Sequence, residues 1–215
     1  MDPLKVIAAN CSQGSVVYQI LVEHSSLVAQ KATAVARNLS RFNPDMDFIH
    51  EAAMLHDIGI IMTYMPELGC TGTLPYICHG YAGRAILEKA GLARHAMVCE
   101  SHIGVGITIE DIQSGKLPIP LRDMTPQTLE EQIICYADKF YSKNGHRHPV
   151  LEKSVEEIVL ALSPYGQDKA DRFLSWHRRF HHSEKGGKDE CANSFFDDDH
   201  PSGLSGGRTT WRYSS

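Results

Sequence analysis

Apolar residues recur along most of this chain at helical spacing. Val17, Ile20, Leu21 and Val28 fall at i, i+3, i+4 and i+11, with His24 at i+7, and predict one face of a helix over residues 15–39. A second helix is expected from about Asp47 to Ile58, with Ile49, Ala52, Ala53, His56 and Asp57 inward and Gly59 as its stop. Residues 59–78, with two further glycines and two prolines, read as a long loop. Helices follow over 80–89 and 92–101. A connection with a short helix at Ile109 to Gln113 leads to a helix from Thr128 to Ser142, closed by Asn144-Gly145. Two more amphipathic helices are expected near 150–162 and 167–182. No run alternates convincingly as a strand, so the expected class is all-α.

From about Ser183 the chain turns to Gly, Ser, Asp and Lys with few core-forming residues, and residues 183–215 are expected to be a disordered tail. Residues 1–182 then form the expected domain, with its core at 15–143 and extra helices after it. At 215 residues and 42% hydrophobic, one buried core is the natural expectation.

The anomaly is that His and Asp stand where leucines belong. His24 continues the first stripe, His56 and Asp57 lie at i+7 and i+8 from Ile49, and Asp138 lies at i+4 from Ile134. Asp57 is the most demanding. A carboxylate near a helix C-terminus meets the negative end of the dipole, at a cost of about 1 kcal/mol or less, and burial adds several kcal/mol more unless the charge is paired. A cation answers both costs. Imidazoles nearby favour a metal over Lys or Arg. His79 precedes a helix whose inner face is Ala82, Gly83 and Ile86, with Gly83 permitting close backbone approach, and His102 ends a helix whose Val98 and Cys99 point the same way.

At this composition chance alone supplies on the order of one His-Asp dipeptide, so the pair by itself is weak. Order and context carry more. EHSSLVAQKA around His24, AAMLHDIG around His56 and Asp57, ICHGYAG around His79, CESHIGVG around His102 and CYADKF around Asp138 resemble the HD superfamily of metal-dependent phosphohydrolases, across roughly residues 15–143. The resemblance implies an HD-domain helical bundle with a two-metal site. His24, His56, Asp57 and Asp138 would hold one ion, and Asp57 would bridge to a second held by His79 and His102, which makes Asp57 the expected catalytic residue. Many two-metal relatives read HDIGK, with a lysine that can contact substrate phosphate. This chain has Ile60 there.

The function expected from the resemblance is hydrolysis of a phosphate ester of a nucleotide or another small phosphorylated metabolite by metal-activated water. Lys143 and Arg84 are the candidate substrate-binding cations. His and Asp donors suit two divalent ions of iron, manganese, cobalt, nickel or zinc without choosing among them. A di-iron oxygenase and a non-catalytic ligand-binding domain are the alternatives. His95 serves as a control: seven residues before His102 on the same face, about 10.5 Å along the axis, it cannot share that ligand's metal. His146 with His148, and His181 with His182, read as solvated, and His50 as surface.

A net charge of -5, with acidic and basic residues dispersed, argues against nucleic-acid polymers and anionic membranes as partners. With no signal segment or apolar span in sight, a cytoplasmic protein is expected, and a homo-oligomer is left open. The six cysteines, without CxxC pairs, read as reduced and mostly buried.

Overall fold

The computed structural model describes residues 1–143 and 151–181. Among them the chain forms nine α-helices: α1 Pro3–Asn10, α2 Val16–Asn38, α3 Met46–Leu55, α4 His79–Lys89, α5 Ala93–Ser101, α6 Ile109–Gly115, α7 Leu129–Asp138, α8 Val155–Leu162 and α9 Gln167–His181. The class is all-α, as the apolar spacing predicts. Cys191, His146, His148, His182, the Asn144-Gly145 stop and the expected tail lie outside the described residues.

The long α2 is the spine, packing against α3, α7 and α9. Its inner face passes from one apolar cluster to another. Val28, Ala32 and Val35 meet Ile49, Ile133, Tyr136 and Phe173, whereas Val17, Ile20 and Leu21 meet Ile7, Leu55, Ile60 and Leu87. His24 lies on α2 between the two. A third cluster of Ile77, Ile103, Ile107 and Met124 underlies the connection after α5. Each large buried apolar side chain contributes about 1.5–3 kcal/mol, which is why the long loops stay folded on this frame.

Several boundaries differ from the expectation, each for a local reason. Residues 3–10 form α1, with the Asp2 carboxylate accepting from the Leu4 and Lys5 amides and proline as the first helical residue. Gly59 does not stop a helix. α3 ends at Leu55, and Gly59 lies inside the 3-10 turn Ile58–Met62 because this backbone must touch α4: a Cβ there would stand 1.9 Å from the His79 carbonyl oxygen and 2.4 Å from the Gly83 nitrogen. The expected loop contains a small antiparallel hairpin, β1 Tyr64–Met65 with β2 Cys70–Thr71, so the expectation of no strand needs that correction. Ser154, in a capping box with Glu157, starts α8 five residues later than expected. α7 stops at Asp138, where Lys139, Phe140 and Tyr141 bond back three residues in tight turns.

α8 and α9 complete the first cluster with Ile158, Leu162, Phe173, Trp176 and Phe180. The Tyr136 hydroxyl pairs with His177 Nδ1 at 2.8 Å and His181 Nε2 at 3.2 Å, and Lys169 pairs with Asp111, tying α9 to α7 and α6. Cys11, Cys70, Cys78, Cys99 and Cys135 are all free thiols, and burial pushes Cys70 up to about 11.

Candidate metal centre

Three helices end at one place. His56 caps α3 with Asp57 following it, His102 caps α5, and Asp138 is the last residue of α7, while α4 begins there with His79. His24 reaches in from the middle of α2. All six side chains are buried.

Their donor atoms form two groups that share one carboxylate. His24 Nε2 and His56 Nε2 lie 3.2 and 3.1 Å from Asp57 Oδ2, and 3.0 and 3.3 Å from Asp138 Oδ1. His79 Nε2 and His102 Nε2 lie 3.5 and 3.2 Å from the other oxygen, Asp57 Oδ1, and 3.1 Å from each other. Each group could hold one metal ion, and Asp57 offers one oxygen to each.

The backbone sets the tautomers. The Nδ1 atoms of His56, His79 and His102 sit 2.6, 2.7 and 2.8 Å from the carbonyls of Ala53, Tyr76 and Cys99. A carbonyl only accepts, so Nδ1 carries the proton and Nε2 turns a lone pair inward, as a metal ligand requires. Neither Asp57 oxygen receives an aligned hydrogen bond, although Lys143 Nζ lies 2.8 Å from Oδ2 and attracts it by charge. A buried carboxylate and converging lone pairs, left so by hydrogen bonding, are what a pair of cations would satisfy.

The electrostatics favour neutral donors at His79 and His102 and a protonated His56, whose Nε2 proton an incoming ion would displace. Burial opposes ionisation of Asp57 and Asp138, but the facing charges of His56 and Lys143 hold Asp57, and those of Lys139 and the two imidazoles hold Asp138, well below the usual carboxylate range. Against the lowering by burial, the Asp57 charge and the Asp138 contact raise His56 to about 9. Burial lowers His79 to about 3 and also lowers His102. Lys143 is raised, the Asp57 charge overcoming its desolvation.

A cavity of about 170 Å³ opens on the cluster, lined by His79, His102, Asp138, Lys139, Lys143 and Lys153 with apolar residues of α8. A second, of about 190 Å³, shares Ile103, Gly104, Lys139, Ala161 and Leu162 with it and runs toward Lys169 and Asp111. Lys143 therefore stands at the ligand cluster. Arg84 does not line either cavity; its guanidinium is bound by Glu88 and by buried Glu100. His95 is away from the ligands, 3.3 Å from Glu51. Sequence reasoning passed over Lys139, whose Nζ lies 2.8 Å from Asp138 Oδ2 and 3.2 Å from the His102 carbonyl, and whose one signal was adjacency to Asp138. It also passed over Lys153 and Tyr76, which line the first cavity and for which no signal existed.

The chain is similar to several known proteins. An uncharacterized protein of Methanocaldococcus jannaschii is 29% identical over 73% of this chain and 90% of its own length. A tRNA (cytidine(56)-2'-O)-methyltransferase of Thermoplasma volcanium is 31% identical over 74% of this chain, which spans only 41% of that enzyme. Among solved structures, the HD domain of the L. monocytogenes phosphodiesterase PgpH matches 83% of this chain and 87% of its own with 19% identity and a TM-score of 0.48. The HD domain family matches residues 21–142. That stretch is more than half of the sequence and holds all six candidate ligands, and the chain belongs to the HD-domain family.

Proposed function

We propose that this protein is a metal-dependent phosphohydrolase that cleaves a phosphate ester of a nucleotide or another small phosphorylated metabolite. The observation that carries the reading is Asp57, with one oxygen in each of two donor groups. His24, His56, Asp57 and Asp138 would hold one divalent ion, and Asp57, His79 and His102 the other. Such ions, when bound, supply Lewis acidity toward a phosphoryl oxygen and toward water.

The chain's own groups do the rest. Carbonyl-anchored imidazoles keep their lone pairs aimed without reorganisation. Lys143 and Lys139, both within 3 Å of a ligand carboxylate, place ammonium charge where a phosphoryl group would gain negative charge. Lys143 thus takes the part that the lysine of HDIGK plays in relatives. Arg84, already claimed by two glutamates, has no part in this reading. The net charge of -5 and the small cavity favour a small substrate over a polymer, for all that one relative's name concerns tRNA.

The test is a panel of phosphate esters assayed on metal-stripped protein reloaded with Fe, Mn, Co, Ni or Zn. Turnover should depend on the ion, disappear in Asp57→Asn with the fold intact, and fall roughly 100-fold in Lys143→Met with metal retained. No turnover with any ion, or full activity of Asp57→Asn, would overturn the reading. Oxygen consumption by the iron-loaded protein in its place would assign the oxidative chemistry instead.

A further inference from the structure

Three lysines face one cavity, and the chain supplies counter-charges for two of them. Lys139 has Asp138 and Lys143 has Asp57, each at 2.8 Å. Lys153 is partly buried and lines the same cavity, yet among the described residues it forms no ion pair. Its position is fixed: its amide donates to the Phe140 carbonyl at 2.9 Å, in the turn that follows α7. The adjacent Glu152 is directed elsewhere, to Lys31 and the Tyr141 hydroxyl, and Glu157 is engaged by the Ser154 amide. Burial and the neighbouring charges of Lys139 and Lys143 depress the Lys153 ammonium despite Asp138 and Glu157, as expected of a cation crowded by cations. Any ion held by the six ligands adds to that excess of positive charge.

We infer that the substrate carries two anionic groups, a phosphate ester at the ligand cluster and a second anion received by Lys153 across the same cavity. The first half rests on the phosphohydrolase reading; the second rests on Lys153. The cavity volume of about 170 Å³ keeps the two groups close, on a short body.

The probes are the mono- and bisphosphates of propane-1,3-diol and butane-1,4-diol, titrated calorimetrically into full-length, metal-loaded protein and assayed for phosphate release. The wild type should bind a bisphosphate roughly tenfold tighter than its monophosphate, the size of one charge-assisted contact. Lys153→Met should lose that preference while binding the monophosphate as before, and Lys153→Arg should keep it. Equal affinity for both probes in the wild type, or equal weakening of both in Lys153→Met, overturns the inference. The two readings fail separately. Preference without phosphate release leaves the second-anion site standing and removes the hydrolase; release without preference does the reverse.

Discussion

His79 and His102 turn their Nε2 atoms toward each other across 3.1 Å, although both rings have committed their Nδ1 protons to backbone carbonyls. Two lone pairs that close repel, and a shared cation converts the repulsion into two bonds. The protein should therefore take up two divalent ions, His102→Ala one, and Asp57→Ala fewer than His102→Ala, by elemental analysis of chains whose far-ultraviolet dichroism is unchanged. Ion at about a thousand times its dissociation constant should raise unfolding free energy by about 4 kcal/mol, reversed by chelator. One ion in both wild type and His102→Ala would sink the two-site arrangement.

Gly59 places the turn after Asp57 directly on α4. A methyl group there meets backbone, His79 oxygen and Gly83 nitrogen and Cα, none of which is a flexible side-chain end. Gly59→Ala should cost roughly 1–3 kcal/mol in urea unfolding and, by pushing His79 away from Asp57, release the ion of the second group first. Unchanged stability would show that α4 can move without cost.

Position 60, where many relatives carry a phosphate-contacting lysine, is fully buried here beside Ile7, Leu21 and Leu87. Ile60→Lys should not rescue a Lys143→Met enzyme; it should destabilise the fold by about 3 kcal/mol or more, the cost of an unpaired buried charge. Restored activity in the double variant would mean that residue 60 can reach the cavity.

Asp45 caps α3, whose far end carries His56. Its carboxylate accepts from the Phe48 amide at 3.1 Å, a contact that, with Arg94, holds its pKa below the ordinary value. A depressed carboxylate stabilises above its unfolded pKa of about 3.9 and loses that contribution as pH falls through the folded value. Asp45→Ala should be about 1 kcal/mol less stable than wild type near pH 6, and the gap should narrow as the pH falls through the depressed folded value. A gap that persists in acid would point to packing, not charge.

Much of this site was legible in the sequence, because His24, His56, Asp57 and Asp138 interrupt apolar stripes whose period fixes which way each points. The substrate side was less so. Lys143 and Arg84 looked equivalent as cations near ligands, but their fates depend on where helices stop. Had α7 continued, Lys143 would stand about 7.5 Å farther along the axis than Asp138 and off its face; the turns at 139–141 bring it back to Asp57. Arg84 is instead drawn to Glu100, on a different helix, a pairing no local spacing announces. α1 was missed for a related reason: with only Ile7 fully buried, its eight residues show too little periodicity to register.

The convergence of α3, α5 and α7 on the ligands has a consequence for the charge at the site. Each helix C-terminus carries about half a negative elementary charge; three of them, less the positive start of α4, leave about -1 before Asp57 and Asp138 are counted. The pull on cations is therefore partly built into the peptide backbone and survives exchange of any one side chain. The same field opposes an anion at the ligand cluster, so a phosphate that approaches there relies on Lys139, Lys143 and Lys153, which line the cavity and carry the compensating charge.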